Sequence, residues 1–193
     1  MTAMKQLPNH LYTVGEYAAL GETEHRTELQ EGIITVSPSP TPDHMDAIYE
    51  LASQLKRQVS PDLKVTIDVD VDLELVSPGE PGTIRRPDVV VVDRKARLRV
   101  RDEGGTLRAS DVRLIIEVVS PGSRRTDYVT KRSDYADAGI PHYWIVDLDE
   151  PVSLLPCELS GKDIYVDRGE VTGVFTTDVP FQCSIDLPSL LNL

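Results

Sequence analysis

LIIEVVSPGS (residues 114–123) and RRPDVVVVD (residues 85–93) decide how this chain folds. Neither run alternates apolar with polar residues, so each reads as a strand covered on both faces, in the centre of a sheet. Each also carries an acid that such a strand should not tolerate: Glu117 lies inside the first, and Asp88 follows Pro87 at the start of the second. An ionised carboxylate stripped of its water is strongly disfavoured unless something holds its charge. Neighbouring strands lie about 4.8 Å apart, so pairing these two would bring Asp88 and Glu117 to one point. Like charges that close repel, so one acid must be protonated or a cation must lie between them. A hard divalent ion such as Mg2+ or Mn2+ takes oxygen ligands and keeps several waters. The two carboxylates and the backbone carbonyl of Val118 would supply half of its shell. The competing partner is an arginine from IRRPD (84–88) or SRRTD (123–127), which would make a structural ion pair instead.

Outward from these strands, KVTIDVDVDLELV (64–76) alternates Val65, Ile67, Val69, Val71, Leu73 and Leu75 with Thr66, Asp68, Asp70, Asp72 and Glu74. This predicts one half-buried strand with a solvated acidic face. TPDHMDAIYELASQLKRQVSP (41–61) is an amphipathic helix, with Met45, Ile48, Leu51, Ala52, Leu55 and Val59 at helical spacing and Pro61 beyond its end. Thr13 and Glu16 form a capping box for a short first helix that closes on Gly21. RTELQEGIITV (26–36) predicts a strand, a turn at Glu31-Gly32 and a second strand at 33–36, before a proline-rich loop. RKARLRVRDEGG (94–105) reads as a charged segment ending in a turn. DYVTKRSDYADAG (127–139) is a helix stopped by Gly139, and HYWIVDLD (142–149) is a further strand. DIYVD, GVFTTDV and QCSID are short β-like pieces, and LPSLLNL ends the chain as a helical turn. The order predicts an α/β fold: one domain over 1–193, a central mixed β-sheet flanked by helices, with a core over about 12–149 and a β-rich extension over 150–193.

A chain of 193 residues, 40% hydrophobic and 27% charged, suits one soluble globular domain. No apolar run approaches the roughly 18 residues that span a bilayer, and MTAMKQLPNHLYT has no apolar signal-peptide core. A cytoplasmic protein is expected, with Cys157 and Cys183 as buried free thiols. The net charge of −12 is unevenly spread. From Arg85 to Arg132 there are 13 Lys/Arg against 7 Asp/Glu, or +6, which leaves −18 for the rest. Such a chain can bind a polyanion locally while repelling it elsewhere.

The pieces TVGEYAAL, TELQEG, SPSPTPDH, RRPDVVVV, IIEVVSPGS and DYVTKRSDYADAGIPHYWIVD, in this order between Tyr12 and Asp149, resemble the bacterial restriction endonuclease family of Uma type. That family lies within the PD-(D/E)xK nuclease superfamily. The resemblance implies a restriction-endonuclease-like fold and a metal-dependent endonuclease that hydrolyses DNA phosphodiester bonds. Asp88 and Glu117 would be metal ligands, and Glu28 of TELQEG an extra acid from an N-terminal element. The signature lysine is due two residues after Glu117, where this chain has Val119. In this family it is displaced to the following helix, where Lys131 stands. Arg86, Arg124, Arg125 and Arg132, in the basic segment, are candidate phosphate contacts, and cutting both strands of DNA favours a homodimer. The alternative is a catalytically weak or inactive nuclease-fold module that binds DNA or protein. Other residues carry structural expectations: His44 an exposed first-turn histidine, Ser120, Pro121 and Ser123 turn formers, Tyr135 and Trp144 core, and Asp127 a partner for Lys131 four residues on.

Overall fold

The chain is laid out as follows in a computed structural model that describes residues 10–21, 23, 25–161 and 163–191. Residues 1–9 of the stretch read for a signal segment, and the last two of the expected final turn, lie outside these. The elements in order are α1 (Val14–Ala18), β1 (Thr27–Gln30), β2 (Ile33–Val36), α2 (Pro42–Lys56), β3 (Leu63–Ile67), β4 (Val71–Asp72), β5 (Ile84–Arg85) and β6 (Val89–Asp93). Then come α3 (Arg94–Glu103), β7 (Leu107–Arg108), β8 (Val112–Val119), a turn of π-helix (Thr126–Lys131), α4 (Arg132–Asp137) and β9 (His142–Asp147). The last strands are β10 (Ser153–Ser160), β11 (Ile164–Asp167), β12 (Val171–Thr172), β13 (Val174–Thr177) and β14 (Cys183–Asp186).

The two runs without alternation are central, as their composition demands. A seven-stranded sheet has the order β11-β10-β9-β8-β6-β3, with β12 also on β10. The β8–β9 pair is parallel and the others are antiparallel. Leu114, Ile116 and Val118 of β8, with Val89 and Val91 of β6, pack with Leu51 and Leu55 of α2 and with Phe175 and Ile185 of the β13–β14 hairpin. Ile115 of β8, with Val90 and Val92 of β6, packs on the other face with Ala96 of α3 and Tyr135 of α4. Both thiols are buried and free. Among the described residues no helix is long and apolar enough to cross a membrane.

Two expectations are corrected. The alternating run 64–76 is two strands rather than one: Asp68 takes a left-handed conformation (φ 51°), and the chain leaves the large sheet after β3 to enter a second one at β4. This second sheet, β2-β1-β5-β4-β7, stands beside the expected central mixed sheet. Segment 94–103 is a helix, with only Ala96 fully covered; an apolar stripe that thin leaves little periodic signal. After Pro151, β10 pairs antiparallel along β9.

The hairpin β1–β2 carries Glu28, and its two-residue turn needs positive φ at both positions, which Glu31 (48°) and Gly32 (80°) supply. A Cβ on Gly32 would lie 2.7 Å from that of Pro81 and 2.8 Å from that of Leu11. Gly32→Ala should therefore lower the unfolding free energy by more than the roughly 1–3 kcal/mol of left-handed strain alone, as read from urea melts.

Candidate active site

The register of β6 and β8 pairs Val89 with Ile116, so the next step sets Asp88 across from Glu117. Residues directly opposite share a face. Both acids line a cavity of about 530 Å³ that Glu28 of β1, His44 of α2, Asp127 and Lys131 of the π turn, and Val118 also line. Asp88, Glu117, Glu28, Lys131 and Val118 are thus gathered at one place, from four segments distant in sequence.

Glu117 is held by Lys131, not by an arginine. The Lys131 ammonium is 2.9 Å from Glu117 Oε1, and the Tyr135 hydroxyl donates to the same oxygen at 2.6 Å. Lys131 Nζ also lies 3.8 Å from Glu28 Oε1 and 3.6 Å from Asp127 Oδ1. Burial opposes its charge, but these carboxylates outweigh that and raise its pKa above the ordinary lysine value. Glu28 accepts from the Arg85 guanidinium at 3.0 Å and from the Arg86 N–H at 2.9 Å. Burial would raise its pKa, yet Lys131 and Arg85 bring it below the usual carboxylate range.

Asp88 and Glu117 divide their protons as close like charges must. Asp88 Oδ2 accepts from the Val118 N–H at 2.8 Å, and Oδ1 lies 3.1 Å from Arg26 Nη2 and 3.4 Å from His44 Nε2. Burial pushes the Asp88 pKa up, but His44, Lys131 and Arg26 together bring it down to about 2. Burial raises Glu117 to about 8 despite Lys131, with Asp88, Asp127 and Glu28 adding to the rise.

The cavity holds more carboxyl groups than cations. Glu28, Asp88, Glu117 and Asp127 face Arg26, Arg85 and Lys131, and two of those cations are shared: Arg85 also binds Asp134 at 2.5 Å and Arg26 lies 2.9 Å from Asp68. Asp127 is the sharpest case, being 1% exposed with no hydrogen bond to either carboxylate oxygen. As the side chains stand, no group of three or more His, Cys, Asp or Glu among the described residues is spaced to hold a metal. The Lys131 ammonium lies among the carboxylates of Glu117, Asp127 and Glu28. The donor set nonetheless fits a hard divalent ion: buried carboxyl oxygens outnumber the cations, and the two on Asp127 accept no hydrogen bond.

His44 corrects its expectation, being 7% exposed and directed at Asp88, with Nδ1 unpartnered. Tyr135 is core as expected and also a hydrogen-bond donor in the site. Arg26 was not anticipated; nothing in RTELQEG distinguishes an arginine that reaches across to Asp88 from a surface one.

The four arginines proposed for phosphate contact do not form a free basic rim. Arg86 pairs with Asp68 at 3.0 Å, Arg124 with Asp147 and Asp149, and Arg132 with Asp167 at 2.5 Å. None of these three lines the cavity. Acids scattered outside the basic segment fold back to neutralise it, which no local charge count could reveal. Arg125 is exposed. Ser120, Ser123 and Thr126 line the cavity, and Ser123 also closes the turn after β8 by accepting the Ser120 N–H at 2.9 Å.

The central mixed sheet with this carboxylate–lysine cavity at its strand ends defines a restriction-endonuclease-like fold. A family model described as "Putative restriction endonuclease" (Uma2) matches residues 14–166, and the chain belongs to this family. The chain is similar to a crystal structure described as a putative nuclease belonging to DUF820 from Anabaena variabilis, with a TM-score of 0.65 and 19% identity. That match covers 93% of this chain and 97% of the other. A search of curated proteins finds no match.

Burial raises the Asp127 pKa above its ordinary value. Folding is therefore penalised once the pH passes the ordinary value, about 3.9. Asp127→Asn should remove that penalty. With EDTA present, calorimetry should show the variant melting roughly 2–4 °C above wild type at pH 7 and level with it at pH 3.

Proposed function

We propose that the chain is a divalent-cation-dependent endonuclease that hydrolyses DNA phosphodiester bonds in the Asp88–Glu117 cavity. The observation that carries this reading is the excess of buried carboxyl groups there, with neither Asp127 oxygen hydrogen-bonded. Asp88, Glu117 and the Val118 carbonyl would hold Mg2+ or Mn2+, which when bound supplies Lewis-acid stabilisation of the phosphate and a more acidic water.

The protein's own groups have distinct roles. The Val118 N–H, Arg26 and His44 fix the Asp88 carboxylate from three directions. The Tyr135 hydroxyl fixes Glu117. Lys131 brings a positive charge that steadies the negative charge building on the phosphate oxygens, and Glu28 helps keep it in place from 3.8 Å. Arg125, with Ser120, Ser123 and Thr126, is available for flanking phosphates. A homodimer would present a second cavity to the opposite strand.

The second reading, a DNA-binding or protein-interaction module with little cutting, is favoured by one observation: Arg86, Arg124 and Arg132 are spent on carboxylates within the chain.

Plasmid nicking with Mg2+ or Mn2+ separates the two. The nuclease reading expects cleavage by wild type, abolished by EDTA and reduced at least ~100-fold in Asp88→Ala, Glu117→Ala and Lys131→Met. Cleavage that survives both acid substitutions would move the chemistry elsewhere, and DNA retention in gel shifts without cleavage would favour the module.

A further inference from the structure

We propose that Asp127 is the second seat of the Lys131 ammonium: when a divalent cation takes Glu117, the ammonium moves from Glu117 to Asp127. This rests on the metal-dependent reading of Asp88 and Glu117 given above.

A buried carboxylate without a donor is costly, and one kept in a folded protein calls for a partner that arrives. Asp127 is such a group, and its place in the wall is fixed by its main chain. Its N–H donates to the Ser123 carbonyl at 2.9 Å, and its own carbonyl accepts from the Tyr143 hydroxyl at 3.0 Å. Lys131 faces it across one turn at 3.6 Å. An ammonium has three donors, and Lys131 places one close, on Glu117 at 2.9 Å. Its other two neighbours differ in what they can still accept. Glu28 already takes Arg85 on one oxygen and the Arg86 N–H on the other, whereas both oxygens of Asp127 are free of hydrogen bonds.

A cation on Glu117 would repel the ammonium beside it. The open lone pairs lie on Asp127, and charge-assisted contact there, at about 2.8 Å, needs a shift of less than ~1 Å in a flexible four-carbon stem. Both seats line the same cavity, so the ammonium stays beside the phosphate-facing space throughout. Asp127 is thus a positioning residue that acts through Lys131.

The test is calorimetric titration with Ca2+ of wild type, Asp127→Asn, Lys131→Met and the double variant, each first shown by its melting curve to be folded. Lys131→Met should bind Ca2+ ~10-fold tighter, because no ammonium competes for Glu117. Asp127→Asn should bind ~10-fold weaker, and that loss should fall below ~2-fold in the Lys131→Met background. Equal weakening in both backgrounds would make Asp127 a direct ligand and overturn the proposal, as would no effect in either. Absence of Ca2+ binding by folded wild type would instead sink the metal-dependent reading itself.

A crystal structure of wild type with Ca2+ needs no variant to fold. It should show Lys131 Nζ moved from 3.6 Å to hydrogen-bond distance of Asp127 and away from its 2.9 Å contact with Glu117. Unchanged distances with Ca2+ present would overturn the exchange.

Discussion

The contact between the Lys131 ammonium and Glu117, buried at the end of the central strand, is the constraint on which the site depends. A carboxylate inside β8 is tolerable because a lysine from the following π turn reaches it at 2.9 Å and Tyr135 donates to the same oxygen. Breaking a buried ion pair by removing one partner costs roughly 3–5 kcal/mol, so neither group is free to vary alone. π turns are rare and recur at functional sites. This one aims Asp127 and Lys131 into the same cavity.

The same electrostatics join the two sheets at the site. Arg85, 2% exposed, lies on β5 of the smaller sheet and binds both Glu28 of β1 and Asp134 of α4, which packs on the larger sheet. Arg26 and Arg86 meet at Asp68, the residue where the chain passes from one sheet to the other. The carboxylates are thus held by a frame of arginines together with Lys131. Two of those arginines are shared with Asp68 and Asp134, outside the cavity lining.

Much of this was legible in the sequence, for identifiable reasons. Continuous apolar runs mark central strands, so the acids at 88 and 117 stood out and their convergence followed from strand spacing alone. The Glu31-Gly32 turn and the stop at Gly139 depend on local backbone chemistry and were equally readable. What escaped depends on long-range contact. His44 looks like any first-turn histidine until α2 is docked against the sheet end. Arg26 looks like a surface residue until β1 lies beside β5. The basic segment looked like a polyanion rim because its neutralising acids, Asp68, Asp147, Asp149 and Asp167, lie outside it in sequence. The break at Asp68 was hidden because perfect alternation survives on either side of a residue whose φ is positive.

The central claim is that the surplus of buried carboxyl groups marks the seat of a divalent cation between Asp88 and Glu117. The most direct measurement is an anomalous difference map from crystals of the wild-type chain grown with Mn2+. The account predicts a peak within about 2.0–2.6 Å of a carboxylate oxygen from each residue. A map with no peak in the cavity, the Lys131 ammonium still on Glu117 at millimolar Mn2+, would contradict it.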